Sequence, residues 1–310
     1  MVKKIKTISR KEFLKKASFT FLGMGLLKNE RPAFLFPGKQ KSVHFPLRTL
    51  GRTGIRVTPV GYGASRTMES SLIRRAIDKG INFIDTGRHY FNGQNEYAVG
   101  KAIKGIRKNI VIQSKISIRS NNRNKLLKSS QEALEIIKSM ESSLNKSLGA
   151  LQTDYIDIIL FHSARSSEII HHEMVMNFFK KAKESGKIRA YGFSSHSNQV
   201  ELLREANKKN FYEVIMVPYN HKGSYIHSGS GHSSEWNQKE LEIELKKVQT
   251  NNIGIVAMKT CSAGPYSPSK NIKPSYKEAL KWILKNSSVS TMASAMTNYK
   301  EMDEDIQAMM

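Results

Sequence analysis

The sequence predicts an α/β protein whose parallel strands close into a (β/α)8 barrel. Eight apolar runs alternate with eight amphipathic segments from about residue 57 to the C-terminus. The runs are apolar throughout, as is typical of parallel strands covered by helices. A chain of 310 residues is long enough for one barrel-sized domain. No G-x-G-x-x-G motif follows a strand, which disfavours an open Rossmann sheet.

The individual elements can be placed from their apolar periodicity. The predicted strands lie near residues 57–62, 81–85, 110–115, 155–162, 189–193, 213–219, 253–259 and 289–295. The predicted helices span 70–79, 96–104, 129–148, 173–185, 199–208, 238–250, 276–286 and 298–308. In the long third helix, the predicted buried face is formed by Leu134, Ile137, Met140, Leu144 and Leu148.

A short segment precedes the first barrel strand. Residues 42–56 carry Gly51 and Gly54 at turn positions, which predicts a β-hairpin that plugs the bottom of the barrel. We therefore expect two parts in the chain, a signal or anchor segment over 1–34 and the barrel domain over 35–310.

The N-terminal segment differs in composition from the rest of the chain. Residues 1–16 are strongly basic, and residues 17–27 form an apolar run of signal-peptide length. Ser9-Arg10-Lys11-Glu12-Phe13-Leu14-Lys15 resembles a twin-arginine export signal, with Lys11 at the place of the second arginine. We expect a periplasmic or exported protein. The alternative is a basic amphipathic helix that contacts a membrane surface on a cytoplasmic protein.

The charge and the cysteine count limit the classes of partner. The formal net charge is +24, but the basic residues are spread over the helices and do not interleave with aromatic residues. This pattern predicts a solvated surface and no nucleic-acid partner. A single cysteine, Cys261, allows no intrachain disulfide. His221, His227 and His232 match no rigid ligand spacing, so no metal site is predicted. We expect a monomer.

Polar side chains follow three successive predicted strands at the same end. Asp85 ends the second strand, with Tyr90 five residues later. Lys115 and His162 end the third and fourth strands. Because catalytic residues of a parallel barrel lie at the carboxyl ends of its strands, these four form a candidate active site.

Several motifs around these residues occur in a characteristic order. They are Leu50-Gly51-Arg52-Thr53-Gly54, Asp85-Thr86 with Tyr90, Asn95-Glu96 with Gly100-Lys101, Thr153-Asp154-Tyr155-Ile156-Asp157 and Gly186-Lys187-Ile188-Arg189-Ala190-Tyr191-Gly192-Phe193-Ser194. From about Leu47 to the C-terminus the chain resembles the aldo-keto reductases. The resemblance implies a (β/α)8 barrel that reduces a small-molecule aldehyde or ketone with hydride from NADP (or NAD).

The resemblance also implies roles for the four polar residues. Tyr90 is the proton donor to the carbonyl oxygen, although a phenol has an ordinary pKa of about 10. We expect the ammonium of Lys115 to lower the pKa of Tyr90, and Asp85 to keep Lys115 charged. His162 donates a hydrogen bond to the substrate oxygen.

The cofactor residues implied by the resemblance depart from the family pattern. At the nicotinamide end the chain has Ser194-Ser195 for Ser-Asn, Met216 for a glutamine and Met258 for an aromatic residue, with Tyr219 nearby. The expected phosphate and adenine residues are Ser294, Met296, Thr297, Asn298, Lys300 and Asp305. A plain helix cap at Thr297 or Asn298 is the alternative. NADP and NAD both stay open, as does a catalytically weak, cofactor-binding barrel with a regulatory or binding role.

Overall fold

The computed structural model describes residues 45–118, 130–226, 231 and 233–310. In these ranges the strands are β1 (Arg48–Thr49), β2 (Arg56–Val57), β3 (Val60–Gly63), β4 (Phe83–Asp85), β5 (Val111–Ile116), β6 (Ile156–Phe161), β7 (Ile188–Ser194), β8 (Val214–Pro218), β9 (Ser224–Ile226), β10 (Ser233–Glu235), β11 (Gly254–Met258) and β12 (Thr291–Ala295). The α-helices are α1 (Ser70–Asp78), α2 (Gln94–Ile103), α3 (Ser130–Leu151), α4 (Ser167–Ile170), α5 (Glu173–Glu184), α6 (Gln199–Lys209), α7 (Gln238–Thr250), α8 (Tyr276–Leu284) and α9 (Tyr299–Gln307).

Eight of these strands close into a parallel barrel in chain order, β3-β4-β5-β6-β7-β8-β11-β12. Closure occurs where β12 pairs with β3, with Met292 opposite Val60. The predicted (β/α)8 fold is confirmed. All eight carboxyl ends face one mouth, because the strands are parallel. The short helix α4 and the antiparallel pair β9–β10 were not predicted.

The predicted hairpin lies at the opposite end of the barrel. Strands β1 and β2 pair antiparallel, with Arg48 opposite Val57. Gly51 has φ +53°, and a Cβ there would lie 2.3 Å from the amide nitrogen of Gly254, the first residue of β11. This close approach to the start of a barrel strand explains the glycine and confirms the position of the hairpin at the barrel bottom.

Apolar side chains form two layers, because successive residues of a strand face opposite sides. One layer fills the barrel, and the other lies between the barrel and the helices. Helix α3 contributes Ala133, Ile136, Met140 and Leu144 to the outer layer. The predicted face was partly wrong, since Leu134 is 46% exposed.

Some predictions concern residues outside the described ranges. They are the export signal and the boundary at residue 34, together with His227 and His232. Among the described residues, no group of three His, Cys, Asp or Glu side chains is arranged to hold a metal ion. In the same ranges, no helix combines the length and the apolarity that crossing a bilayer requires.

Candidate active site

The four predicted catalytic residues meet at the carboxyl mouth of the barrel. Asp85 ends β4, Lys115 lies near the end of β5, Tyr90 begins the turn that follows β4, and His162 follows β6. Lys115 Nζ donates to both carboxylate oxygens of Asp85, at 2.6 and 2.7 Å, and to Tyr90 Oη at 3.1 Å. The rings of Tyr90 and His162 are nearly perpendicular, with centroids 5.8 Å apart. Residues that are far apart in the sequence therefore form one cluster.

Burial and charge set the protonation of this cluster. Lys115 is 1% exposed, and burial alone lowers its pKa, but Asp85 and Tyr90 outweigh burial and leave the pKa above its ordinary value. Lys115 is therefore an ammonium. Burial raises the pKa of Tyr90, and Lys115 opposes this without reversing it. Lys115 thus acts on Tyr90 in the expected direction, but desolvation of the phenolate exceeds the attraction of the ammonium, and the net pKa of Tyr90 is raised.

The backbone around Tyr90 fixes the position of its ring. Tyr90 N donates to Gly87 O at 3.0 Å, and a Cβ on Gly87 would lie only 3.4 Å from the ring. Lys115 Nζ also donates to Thr86 O at 2.7 Å. Phe91 and Asn92, which follow Tyr90, have positive φ angles of 48° and 53°. Tyr90 is therefore held by a tight, strained turn.

A second buried layer supports this turn. The fully buried Asn95 accepts from Thr86 Oγ1 at 2.6 Å and donates to the carbonyl oxygen of Ala64 at 2.8 Å. The neighbouring Glu96 lies 2.7 Å from Arg88 and accepts from Ser114 Oγ at 2.6 Å. The Asn95-Glu96 motif thus connects the loop after β4, which carries Tyr90, to the barrel wall by hydrogen bonds and an ion pair.

The ring of His162, beside Tyr90, lies near the rings of two other histidines. His162 stacks on His89, with centroids 6.3 Å apart, and its centroid lies 6.4 Å from that of His196. Tyr225 in β9 donates to the carbonyl oxygen of His196 at 3.0 Å, and Lys259 Nζ lies 5.0 Å from the Tyr225 ring centroid. Sequence reasoning missed His89, His196, Tyr225 and Lys259. For three of them adjacency in the sequence was the available signal, because His89, His196 and Lys259 lie next to Tyr90, Ser195 and Met258.

The two serines at the end of β7 are buried at the same mouth. Ser194 Oγ accepts from Ser163 N at 3.1 Å, next to His162. Ser195 Oγ donates to Ala164 O at 2.9 Å. Both hydroxyls therefore hold the loop that carries His162, in addition to any contact with a ligand.

Met216 and Met258 lie on neighbouring strands of the barrel wall, offset by two positions in the register. They belong to the paired strands β8 and β11, where Met216 is opposite Val256 and Met258 is opposite Pro218. Both are buried within the barrel layer. They form an apolar, polarisable part of the barrel interior, and the sulfur of Met216 lies 3.4 Å from Gln113 Nε2.

Tyr219 does not reach the mouth, contrary to the prediction. Its hydroxyl donates to Glu242 in α7 at 2.8 Å and accepts from Asn286 at 2.9 Å. Tyr219 lies three positions after the inward-facing Met216, and an odd separation places a strand residue on the outer side. Tyr219 therefore packs between helices.

Ser294 and Met296 in and after β12 also face the helix layer. The side chain of Met296 is buried there, and its carbonyl oxygen accepts from Tyr62 Oη at 2.7 Å. Ser294 Oγ lies 3.7 Å from the sulfur of Cys261 and contacts Asp305 in α9. The side chains of Ser294 and Met296 thus pack among the helices, and their part in a cofactor-binding segment before α9 stays a prediction. Burial raises the pKa of Asp305 to about 7, and its Oδ2 atom has no hydrogen-bond partner.

The start of α9 is capped by its own residues. Asn298 Oδ1 accepts from Glu301 N at 3.0 Å. Glu301 Oε2 accepts from Thr297 N at 2.7 Å and from Thr297 Oγ1 at 2.9 Å. Lys300 is exposed on the first turn. The helix cap that the sequence offered as the alternative is present. The carboxylate of Glu301 accepts from the Thr297 groups that were predicted to bind a phosphate.

The fold and the site define a class of protein, (β/α)8 barrels with an Asp-Lys-Tyr network and a histidine at the carboxyl mouth. The family model described as the aldo/keto reductase family matches residues 61–279, and the chain belongs to this family.

Comparison with individual proteins agrees with this assignment. The aldo-keto reductase YhdN of Bacillus subtilis is 32% identical over 186 residues, which cover 56% of this chain and 53% of YhdN. The chain thus spans about half the length of the first curated relatives it matches. The holo form of aldo-keto reductase AKR11C1 from Bacillus halodurans superposes with a TM-score of 0.66 at 23% identity, over 86% of this chain and 91% of that one. An aldo-keto reductase from Klebsiella pneumoniae in complex with NADPH gives 0.61 at 19% identity, over 86% and 90%. These two likenesses support the fold.

Proposed function

We propose that this protein is a nicotinamide-dependent oxidoreductase that reduces an aldehyde or ketone to an alcohol, with Tyr90 as the proton donor. One observation carries the proposal. The buried ammonium of Lys115 is shared between the carboxylate of Asp85 and the hydroxyl of Tyr90. A phenol next to a fixed ammonium is suited to give up a proton and to take it back.

The roles of the residues follow from this geometry. A nicotinamide cofactor, when bound at this mouth, would supply the hydride for the carbonyl carbon. Tyr90 Oη gives its proton to the carbonyl oxygen, and the ammonium of Lys115 stabilises the phenolate that remains. His162, edge-on to Tyr90, donates a hydrogen bond to the same oxygen and opposes its drift away from Tyr90. In alcohol oxidation the phenolate accepts the proton again.

The mouth of the barrel fits a nicotinamide cofactor in part. Met216 and Met258 offer a soft apolar surface for a flat ring. The hydroxyl of Ser195 already donates to Ala164 O. A cofactor that uses this hydroxyl must therefore share it with Ala164. Thr297 and Asn298 would meet a phosphate group at the start of α9, and there Glu301 is a competing anion. The NADPH complex of the Klebsiella relative supports a nicotinamide cofactor in this fold.

The experiment is a fluorescence titration of the purified protein with NADPH and NADH, followed by a carbonyl panel monitored by oxidation of the cofactor. We expect Tyr90→Phe to bind cofactor with unchanged affinity and to lose about 10²- to 10⁴-fold in kcat. Tyr97→Phe, at an exposed tyrosine of α2, is the matched control and should keep full activity. Unchanged turnover in Tyr90→Phe would refute the assignment.

A weak or regulatory cofactor-binding barrel is the second candidate function. It is favoured by one observation, that the Ser195 hydroxyl and the Thr297 donors already have partners within the chain. Under this alternative the titration shows binding, but no carbonyl is reduced faster by the wild type than by Tyr90→Phe.

A further inference from the structure

A glutamine that sequence reasoning passed over lies directly beneath the cluster. Gln113 precedes Lys115 by two residues in β5 and is opposite Asp85 in the β4–β5 register. Its side chain is fully buried. Nε2 donates to Asp85 Oδ1 at 2.7 Å and contacts the sulfur of Met216 at 3.4 Å.

The surroundings of Gln113 make this contact notable. Below Asp85 and Lys115, the interior layer of the barrel includes the apolar side chains of Phe83, Val111 and Leu160. The Oε1 atom of Gln113 is buried without a hydrogen-bond partner. An unpaired buried amide oxygen is destabilising, by about 1–3 kcal/mol. Packing alone is therefore a poor reason for an amide here, and its one strong polar contact is with Asp85.

We infer that Gln113 is a positioning residue for proton transfer and acts on Tyr90 through Asp85. The inference rests on the proposed function. Asp85 Oδ1 accepts from Gln113 Nε2 and Lys115 Nζ together, so the amide fixes the plane of the carboxylate. With Asp85 fixed, Lys115 keeps one N–H directed at Tyr90 Oη. The hydrogen bond from the amide also partly neutralises the carboxylate of Asp85. This reduces the repulsion between Asp85 and the Tyr90 phenolate.

Other charged and titratable groups face the cluster and are the same in the wild type and in every variant of Gln113. They are His162 after β6, His89 and Arg88 in the loop after β4, Glu96 in α2 and His196 after β7.

The first variant removes the amide at similar volume. We expect Gln113→Leu to lower kcat about 10- to 100-fold, the effect of a lost hydrogen bond to a charged group, while KM and cofactor affinity stay within twofold. Without the amide, the full charge of Asp85 acts on Tyr90 and raises its pKa further. Since alcohol oxidation needs the phenolate, its rise with pH should move to higher pH. Gln199→Leu, at a buried glutamine of α6, is the matched control and should change neither quantity.

The second variant tests the donor itself. A protonated carboxyl at position 113 can donate to Asp85, whereas an ionised one repels it. We therefore expect Gln113→Glu to be more active than Gln113→Leu at low pH and to lose this advantage as the pH rises. Wild-type kcat and pH profiles in Gln113→Leu would overturn the inference.

A third measurement does not depend on turnover. The free energies of unfolding in urea of the wild type, Gln113→Leu, Asp85→Asn and the double variant form a double-mutant cycle. We expect the two losses to be non-additive, because both variants break the same contact. Additive losses overturn the inference whether or not the wild type reduces a carbonyl. If the cycle is coupled but the wild type is inactive, the proposed function fails, and Gln113 remains the residue that holds Asp85.

Discussion

The side-chain nitrogen of Lys115 lies 3.1 Å from the hydroxyl oxygen of Tyr90, and both belong to a cluster in which Asp85 is the counterion. This distance links two adjacent parts of the barrel, the loop after β4 and the strand β5. It means that the protonation of Tyr90 responds to any change at Lys115 or Asp85.

Lys115→Met tests this link. Loss of the ammonium leaves Tyr90 with a pKa raised by burial and without the opposing charge. We expect kcat to fall about 10²- to 10⁴-fold. The variant should also be destabilised, by about 3–5 kcal/mol, because Asp85 is left as an unpaired buried carboxylate. Adding Asp85→Asn should restore stability but not activity, as measured by urea unfolding and initial rates. Recovery of both would contradict a role for Lys115 in proton transfer.

Glu301→Gln tests the competition at the start of α9. Its carboxylate holds the amide and the hydroxyl of Thr297. Removing the charge should strengthen NADPH binding relative to NADH about three- to tenfold. The 2′-phosphate, which NADPH has and NADH lacks, would then meet a helix N-terminus without a competing anion. Glu304→Gln on the same helix is the control, because Glu304 accepts from Tyr276 N instead. An unchanged NADPH-to-NADH ratio of dissociation constants in Glu301→Gln would place the phosphate elsewhere.

Asp305 predicts a pH-dependent stability. Burial raises its pKa from 3.8 to about 7 in the folded protein. A raised carboxyl pKa favours the folded state below the ordinary pKa, and this contribution is lost as the pH rises from about 4 to about 7. As the pH rises from 4.5 to 8, the free energy of unfolding of Asp305→Asn should increase by about 2–4 kcal/mol relative to that of the wild type. Urea unfolding at the two pH values measures this difference. A difference that is equal at both pH values would show that Asp305 keeps an ordinary pKa.

Gly93 and Gly105 separate a steric effect from backbone strain. Their φ angles are similar, +90° and +80°, but only a Cβ on Gly93 meets a neighbour, Arg88 Nη2 at 1.5 Å. Gly93→Ala should push Arg88 away from the buried Glu96, to which it is paired at 2.7 Å. We expect Gly93→Ala to lose about 2–4 kcal/mol more stability than Gly105→Ala. Equal losses in thermal or urea unfolding would mean that strain alone matters.

The export signal stays a prediction from the sequence. A reporter protein fused to the predicted signal segment, residues 1–34, should be exported only when it folds before transport, as expected of the twin-arginine route. Replacing Arg10 and Lys11 with glutamine should abolish export. Export of an unfolded reporter, or export that survives these substitutions, would argue against this signal.

The sequence by itself determined the order and kind of the elements. Continuous apolar runs and 3.6-residue periodicity are local properties, so all eight barrel strands and the helices between them could be placed within a few residues. Strand ends in a parallel barrel share one mouth, and for this reason the sequence alone groups Asp85, Lys115 and His162. Tyr90 joins them from the sequence as well, because it lies in the short loop after the strand that Asp85 ends, whereas the roles of the four residues were implied by the family resemblance.

Only the tertiary structure decided which groups meet and how far they are desolvated. Barrel closure places Gln113 under Asp85 and turns Tyr219 towards the helices. It also lets Glu301 reach Thr297 and buries Tyr90 deeply enough for desolvation to set the direction of its pKa. These outcomes depend on distances between residues far apart in the chain and on the exclusion of water, which no local pattern of residues encodes.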